Sequence, residues 1–182
     1  MRQEIWKSIC RVAAVALCSG ICMGCSVASP LWKSRATETS IDEPGFLALD
    51  QQGHLFVTDF DAKVRKLDLR RKTITTVAGN GKQCCYQDGK KADKVSLHFI
   101  SALAVDPKGD FFVSDFELVR KVDKRTGLIT TFAGNGKTGD TEDGSLALHT
   151  SFSLIAGLAI SPDGDLFIAG ASDVLHRPAS SR

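Results

Sequence analysis

The chain has 182 residues, 43% hydrophobic and 24% charged with 16 glycines, a composition that excludes wholesale disorder. Its formal charge of +2 resides in the first 25 residues, where Arg2, Lys7 and Arg11 stand against Glu4. The near-neutral remainder has no basic patch able to neutralise several phosphates, so nucleic-acid binding is excluded as an expectation.

Residues 1–28 read as an export signal. A basic start precedes the apolar run Val12 to Cys18, which is too short for a spanning helix of about twenty apolar residues but fits a signal core. Two processing sites stay open. Ser26-Val27-Ala28 offers small residues to a signal peptidase and would give a mature start at Ser29. Alternatively Met23-Gly24-Cys25 ends like a bacterial lipobox, with Cys25 as the lipidation candidate and Cys22 where such motifs carry Leu. The chain is thus expected outside the cytoplasm: periplasmic, extracellular, or an outer-membrane lipoprotein touching membrane only through its lipid. Residues 29–44 read as a linker.

From residue 45 an internal repeat governs everything. Ala48, Ala104 and Ala159 sit in the equivalent strands LALD, LAVD and LAIS, spaced by 56 and then 55 residues. Turns containing Gly53, Gly109 and Gly164 follow, then aromatic and β-branched second strands (LFVTD, FFVSD, LFIAG). Third strands repeat Val64-Arg65-Lys66-Leu67 as Val119-Arg120-Lys121-Val122. Fourth strands repeat ITTVAGNGK as ITTFAGNGK. The units are expected over 45–100, 101–155 and, as a partial copy, 156–177, with 178–182 a tail. Four short antiparallel strands cannot bury both sheet faces alone; stacked copies can.

These units closely resemble NHL repeats, in the GLAVD-like, LYVAD-like, RVRKVD-like and ITTVAGNG strands and in the acidic loops Gln87-Asp88-Gly89 and Glu142-Asp143-Gly144. The resemblance implies an all-β fold of NHL-type β-propeller blades, two complete and one partial, forming an open or incomplete propeller. It departs from the family where Phe60 to Lys63 and Phe116 to Leu118 replace an Asn-His-Arg, and where Gly170 replaces the aspartate of Asp59 and Asp115. It implies a non-enzymatic binding scaffold that engages protein, peptide or glycan through blade-end loops, without a cofactor. A metal-dependent propeller hydrolase or lyase is the alternative, and a truncated piece of a six-bladed ring is the third. A homodimer or a partner would complete the ring.

Few residues suggest chemistry. Asp59 and Asp115 end equivalent strands, where they would either hold a cation or cap their own turn, the capping role fitting better. Arg65 and Arg120 would either meet an anionic ligand or lie on a solvated strand face, and the alternation favours the solvated face. The adjacent Cys84 and Cys85 read as two loop thiols or as a strained vicinal disulfide. His54, His98, His149 and His176 recur in no ligand spacing, so no catalytic or metal residue is assigned.

Overall fold

In the computed structural model, residues 32–182 form one compact unit, of which 40–139, 146–170 and 174–177 are described here. The stretch expected to be an export signal, residues 1–28 with Cys25, lies outside the described residues. The first sheet is a meander of β1 (Leu47–Leu49), β2 (His54–Thr58), β3 (Val64–Asp68) and β4 (Thr73–Ala78) in that spatial order. After a two-residue strand, β5 (Lys90–Lys91), and a 3-10 turn over Ala92–Lys94, the pattern returns as β6 (Leu103–Val105), β7 (Phe111–Asp115), β8 (Leu118–Val122) and β9 (Leu128–Ala133). A third sheet holds β10 (Ile155–Ile160), β11 (Leu166–Gly170) and β12 (Val174–Arg177). It has three strands among the described residues.

The repeat is carried by turn chemistry. The amides of Asp50, Asp106 and Ser161 bond to the carbonyls of His54, Asp110 and Asp165, and a glycine closes each turn. Gly53, Gly109 and Gly164 have φ of 81°, 89° and 93°, a region open to glycine at no steric cost. Register recurs as well: Val57 pairs Arg65, Val113 pairs Arg120 and Ile168 pairs Leu175. A register shift falls at the same step, between Val64 and Arg65 and between Val119 and Arg120.

The sheets stack face to face as propeller blades, with β1 against β6 and β6 against β10. Alternation along blade 2 sends successive side chains to opposite faces. Phe111, Val113, Val122 and Ile129 join Phe56 and Val64 in a core against blade 1. Phe112, Val119 and Ala133 join Ile155, Leu166 and Ile168 in a core against blade 3. The fold is therefore all-β, an unclosed array of antiparallel blades.

One feature differs from the sequence expectation. The acidic loop after blade 1 does not stay irregular: β5 pairs antiparallel with β9, Lys90 opposite Ile129 and Lys91 opposite Leu128. Blade 2 thereby has five strands, in the order β5-β9-β8-β7-β6. The amides of Gly89 and Ala92 anchor the added strand on the carbonyls of Ile129 (2.8 Å) and Gly127 (2.9 Å).

Candidate functional site

The turn between β7 and β8 is two residues long, with Phe116 at φ 58°, and it returns the chain so that Asp115 faces Leu118. Asp115 is wholly buried. One carboxylate oxygen accepts the His98 amide at 2.7 Å and lies 3.1 Å from His98 Nδ1; the other accepts from Arg120 at 3.3 Å. An isolated carboxylate in such a place would cost several kcal/mol, so these partners are a condition of the fold.

Arg120 is the larger surprise, because its side chain is 0% exposed. The expectation of a solvated strand face is corrected here. The loop from blade 1 folds over the guanidinium, which donates to the Gln87 carbonyl at 2.7 Å and the Asp88 carboxylate at 2.6 Å. Thr131 donates to the same Asp88 oxygen at 3.2 Å. Tyr86 lies with its ring 5.9 Å from the guanidinium and 4.7 Å from the His98 ring. Burial, followed by the negative charges of Asp115 and Glu117, pushes the Tyr86 hydroxyl above its ordinary value. Sequence alternation could not reveal this node, since its acids come from 32 and 5 residues away along the chain.

The equivalent pair in blade 1 is differently furnished. Asp59 accepts the Lys63 amide at 2.9 Å, which is the turn-capping role. Its other oxygen is 3.8 Å from Arg65, whose side chain is 17% exposed. Among the described residues no loop hydrogen-bonds to the Arg65 guanidinium, and its buried Nε, like that of Arg120, has no hydrogen-bond partner. In blade 3 the matching position is Leu175, so the array holds one enclosed arginine, one open arginine and one apolar residue.

Cys84 and Cys85 are exposed free thiols with Sγ atoms 2.8 Å apart, immediately before Tyr86 in the loop. Their mutual hydrogen bond lowers the Cys84 pKa and raises that of Cys85. The four histidines are dispersed: His54 pairs with Asp50 at 2.7 Å, His98 with Asp115, and His176 with Asp165 at 3.2 Å, while the His149 carbonyl receives Asn135. Among the described residues no three His, Cys, Asp or Glu side chains gather as a metal site. At the opposite end of the inner strands, the repeated turns form an open groove of about 250 Å³ lined by Leu49, Gln51, Val105, Asp106, Ile160 and Ser161.

The three inner strands are not equally covered. Leu47 and Leu49 in β1 are 61% and 64% exposed, whereas Leu103, the repeat equivalent of Leu47, is 8% exposed. Blade 1 thus presents its inner strand to solvent on the face that blade 2 buries against blade 1, while Val57 of β2, paired with Leu47, stays 3% exposed.

No protein-family model and no curated protein matches the chain. Solved structures similar to it include a protein of unknown function from Bacteroides thetaiotaomicron at 15% identity and TM-score 0.46, with 75% of this chain and 47% of that one covered. The WD40 β-propeller domain of Doa1 is similar at 15% identity and TM-score 0.46, covering 76% and 37%. The extracellular domain of a hybrid two-component system from B. thetaiotaomicron follows at 13% identity and TM-score 0.40, covering 74% and 20%. The chain spans less than half the length of each of these structures.

Proposed function

We propose that this chain is an exported NHL-repeat interaction module, binding another protein through the open side of blade 1 and the blade-end loops rather than catalysing a reaction. The observation that carries this reading is the unequal burial of equivalent residues, Leu47 at 61% against Leu103 at 8%. The same strand position is core in one copy and surface in the other. Two exposed leucines on one face of β1, at a position that the next copy packs into a core, mark an association site.

The test is the mass of the purified protein by size-exclusion chromatography with light scattering, across a concentration series, for the wild type and for Leu47→Asp with Leu49→Asp. With its partner absent, an uncovered Leu47–Leu49 face should self-associate, so the reading expects a species heavier than the monomer as concentration rises, which the double substitution returns to monomer. A concentration-independent monomer whose stability is unmoved by both substitutions refutes it.

Export is part of the same proposal. Intact-mass analysis of the membrane and soluble fractions distinguishes a lipidated start at Cys25 from a cleaved start at Ser29. A full-length cytoplasmic product refutes export.

A further inference from the structure

The loop that encloses Arg120 makes three kinds of contact with blade 2. Asp88 takes hydrogen bonds from Arg120 and Thr131; Gly89 and Ala92 donate backbone bonds to Ile129 and Gly127; and Lys90–Lys91 lie beside Ile129 and Leu128 as an edge strand. Every one of these receiving positions exists in blade 1 at the same register. Arg65 pairs with Thr76 as Arg120 pairs with Thr131, and the register shift sits at the same step. Ile74 and Thr73 stand where Ile129 and Leu128 stand. Lys72, at φ 54°, occupies the place of Gly127 at φ 65°.

Among the described residues these positions in blade 1 meet no such loop. Among the described residues β4 has β3 as its sole neighbour in the sheet. Ile74 is half-buried, whereas Ile129 is 0% exposed beneath β5. Arg65 is 17% exposed and has only the 3.8 Å approach to Asp59, where Arg120 has Asp115, Gln87 and Asp88. The chain itself displays, one blade on, what fills such a socket. One aspartate supplies the charge complement to the guanidinium, and the two residues beyond its glycine supply a short strand for the edge, a form of strand addition.

We propose that this side of blade 1 docks an acidic Asp-Gly loop of a separate partner protein, which adds a strand to the β4 edge and sets its aspartate on Arg65 and Thr76. The Asp88 loop of a second copy is not free to fill the socket, because it is engaged on its own Arg120. The proposal rests on the interaction reading above and adds the chemistry of the partner.

The loop's contacts to Arg120 and β9 all lie within residues 86–92, so the probe is the synthetic peptide Tyr-Gln-Asp-Gly-Lys-Lys-Ala, capped at both ends and titrated into the full chain by fluorescence anisotropy. The expected result is saturable binding with half-saturation near or below about 1 mM. Arg65→Gln, or Asn for Asp in the peptide, should each weaken it roughly tenfold or more, since a charge-assisted bond is lost. Thr76→Val, which leaves the charges intact, should weaken it by a smaller factor, and far-UV circular dichroism checks that each variant is folded. Binding by the wild type that Arg65→Gln leaves unchanged overturns the socket while leaving the light-scattering test of association untouched. Absence of saturable binding to the wild type also overturns it. A wild-type dimer that Arg65→Gln converts to monomer makes a second copy the occupant and overturns the assignment to a separate partner.

Discussion

Replacing Arg120 by Met keeps most of the side-chain volume and removes the charge from a wholly buried position. At 3.3 Å, the attraction between Arg120 and Asp115 amounts to roughly 5 kcal/mol at an effective dielectric near 20. Desolvating two ions opposes it by several kcal/mol each, so the intact pair contributes little net stability. The broken pair is another matter. Asp115, 0% exposed, would keep only His98 as partner, and stranding one member of a buried pair costs about 3–5 kcal/mol. That is a large share of the roughly 5–15 kcal/mol typical of a domain. Urea unfolding followed by far-UV circular dichroism should therefore show Arg120→Met losing about 3–5 kcal/mol at unchanged m-value. Adding Asp115→Asn should restore part of the loss, leaving the double variant more stable than the single one. Asp88→Asn should cost about 1 kcal/mol or less, since the Asp88 side chain is 53% exposed and water screens its pair. A loss below about 1 kcal/mol for Arg120→Met, or additivity in the cycle to within about 0.5 kcal/mol, would refute the reasoning.

Three further outcomes follow from the same structure. Leu103→Ala should cost about 2–5 kcal/mol in urea unfolding, whereas Leu47→Ala, one repeat earlier and largely exposed, should stay within roughly 0.5 kcal/mol; equal losses would contradict the difference in coverage. Gly134→Ala should lower stability by roughly 2 kcal/mol or more, because its φ is 95° and a Cβ would lie 2.3 Å from the Glu117 carbonyl oxygen. Gly53→Ala, with nothing within 4 Å, should cost only about 1 kcal/mol, and a reversed order of melting temperatures would refute this account. Burial pushes the Asp50 carboxyl up, but hydrogen bonds from the amide and ring of His54 and the amide of Gln52 outweigh it and hold the pKa below 3.8. A depressed carboxylate stabilises above its unfolded value and loses that contribution as pH falls through the folded one. The stability gap between wild type and Asp50→Asn should thus be level near neutrality and shrink below about pH 4; a gap that widens on acidification would contradict the sign.

The strands were legible because period-two alternation and the Gly53, Gly109 and Gly164 turns repeat at nearly constant spacing, and both depend on local chemistry alone. Turn capping by Asp59 was legible for the same reason. The environment of Arg120 was not. An Arg-Lys pair within β8 reads as polar wherever it points, and its burial depends on Asp88 arriving from another blade. The edge pairing of Lys90–Lys91 was hidden likewise, since two exposed lysines after an Asp-Gly turn carry no strand signal of their own. Arg65 and Arg120 both stand between a valine and a lysine and differ in the contacts that reach them from elsewhere, so no reading of a single repeat could separate their roles.

Blade 2 buries alternate side chains into two different cores, and every residue of β7 is buried. Its main-chain amides can reach water only when both neighbouring interfaces part, whereas β2 and β11 each lie against a single core. Motion in such an array is graded along its length, as expected for nearest-neighbour coupling. Hydrogen exchange would be slowest at the middle sheet and would quicken toward both flanks. A protein seated on blade 1 would be reported by slower exchange in β2 and β3, with β7 already at the limit set by global opening. The middle blade therefore serves as the fixed reference against which occupancy of the first can be timed.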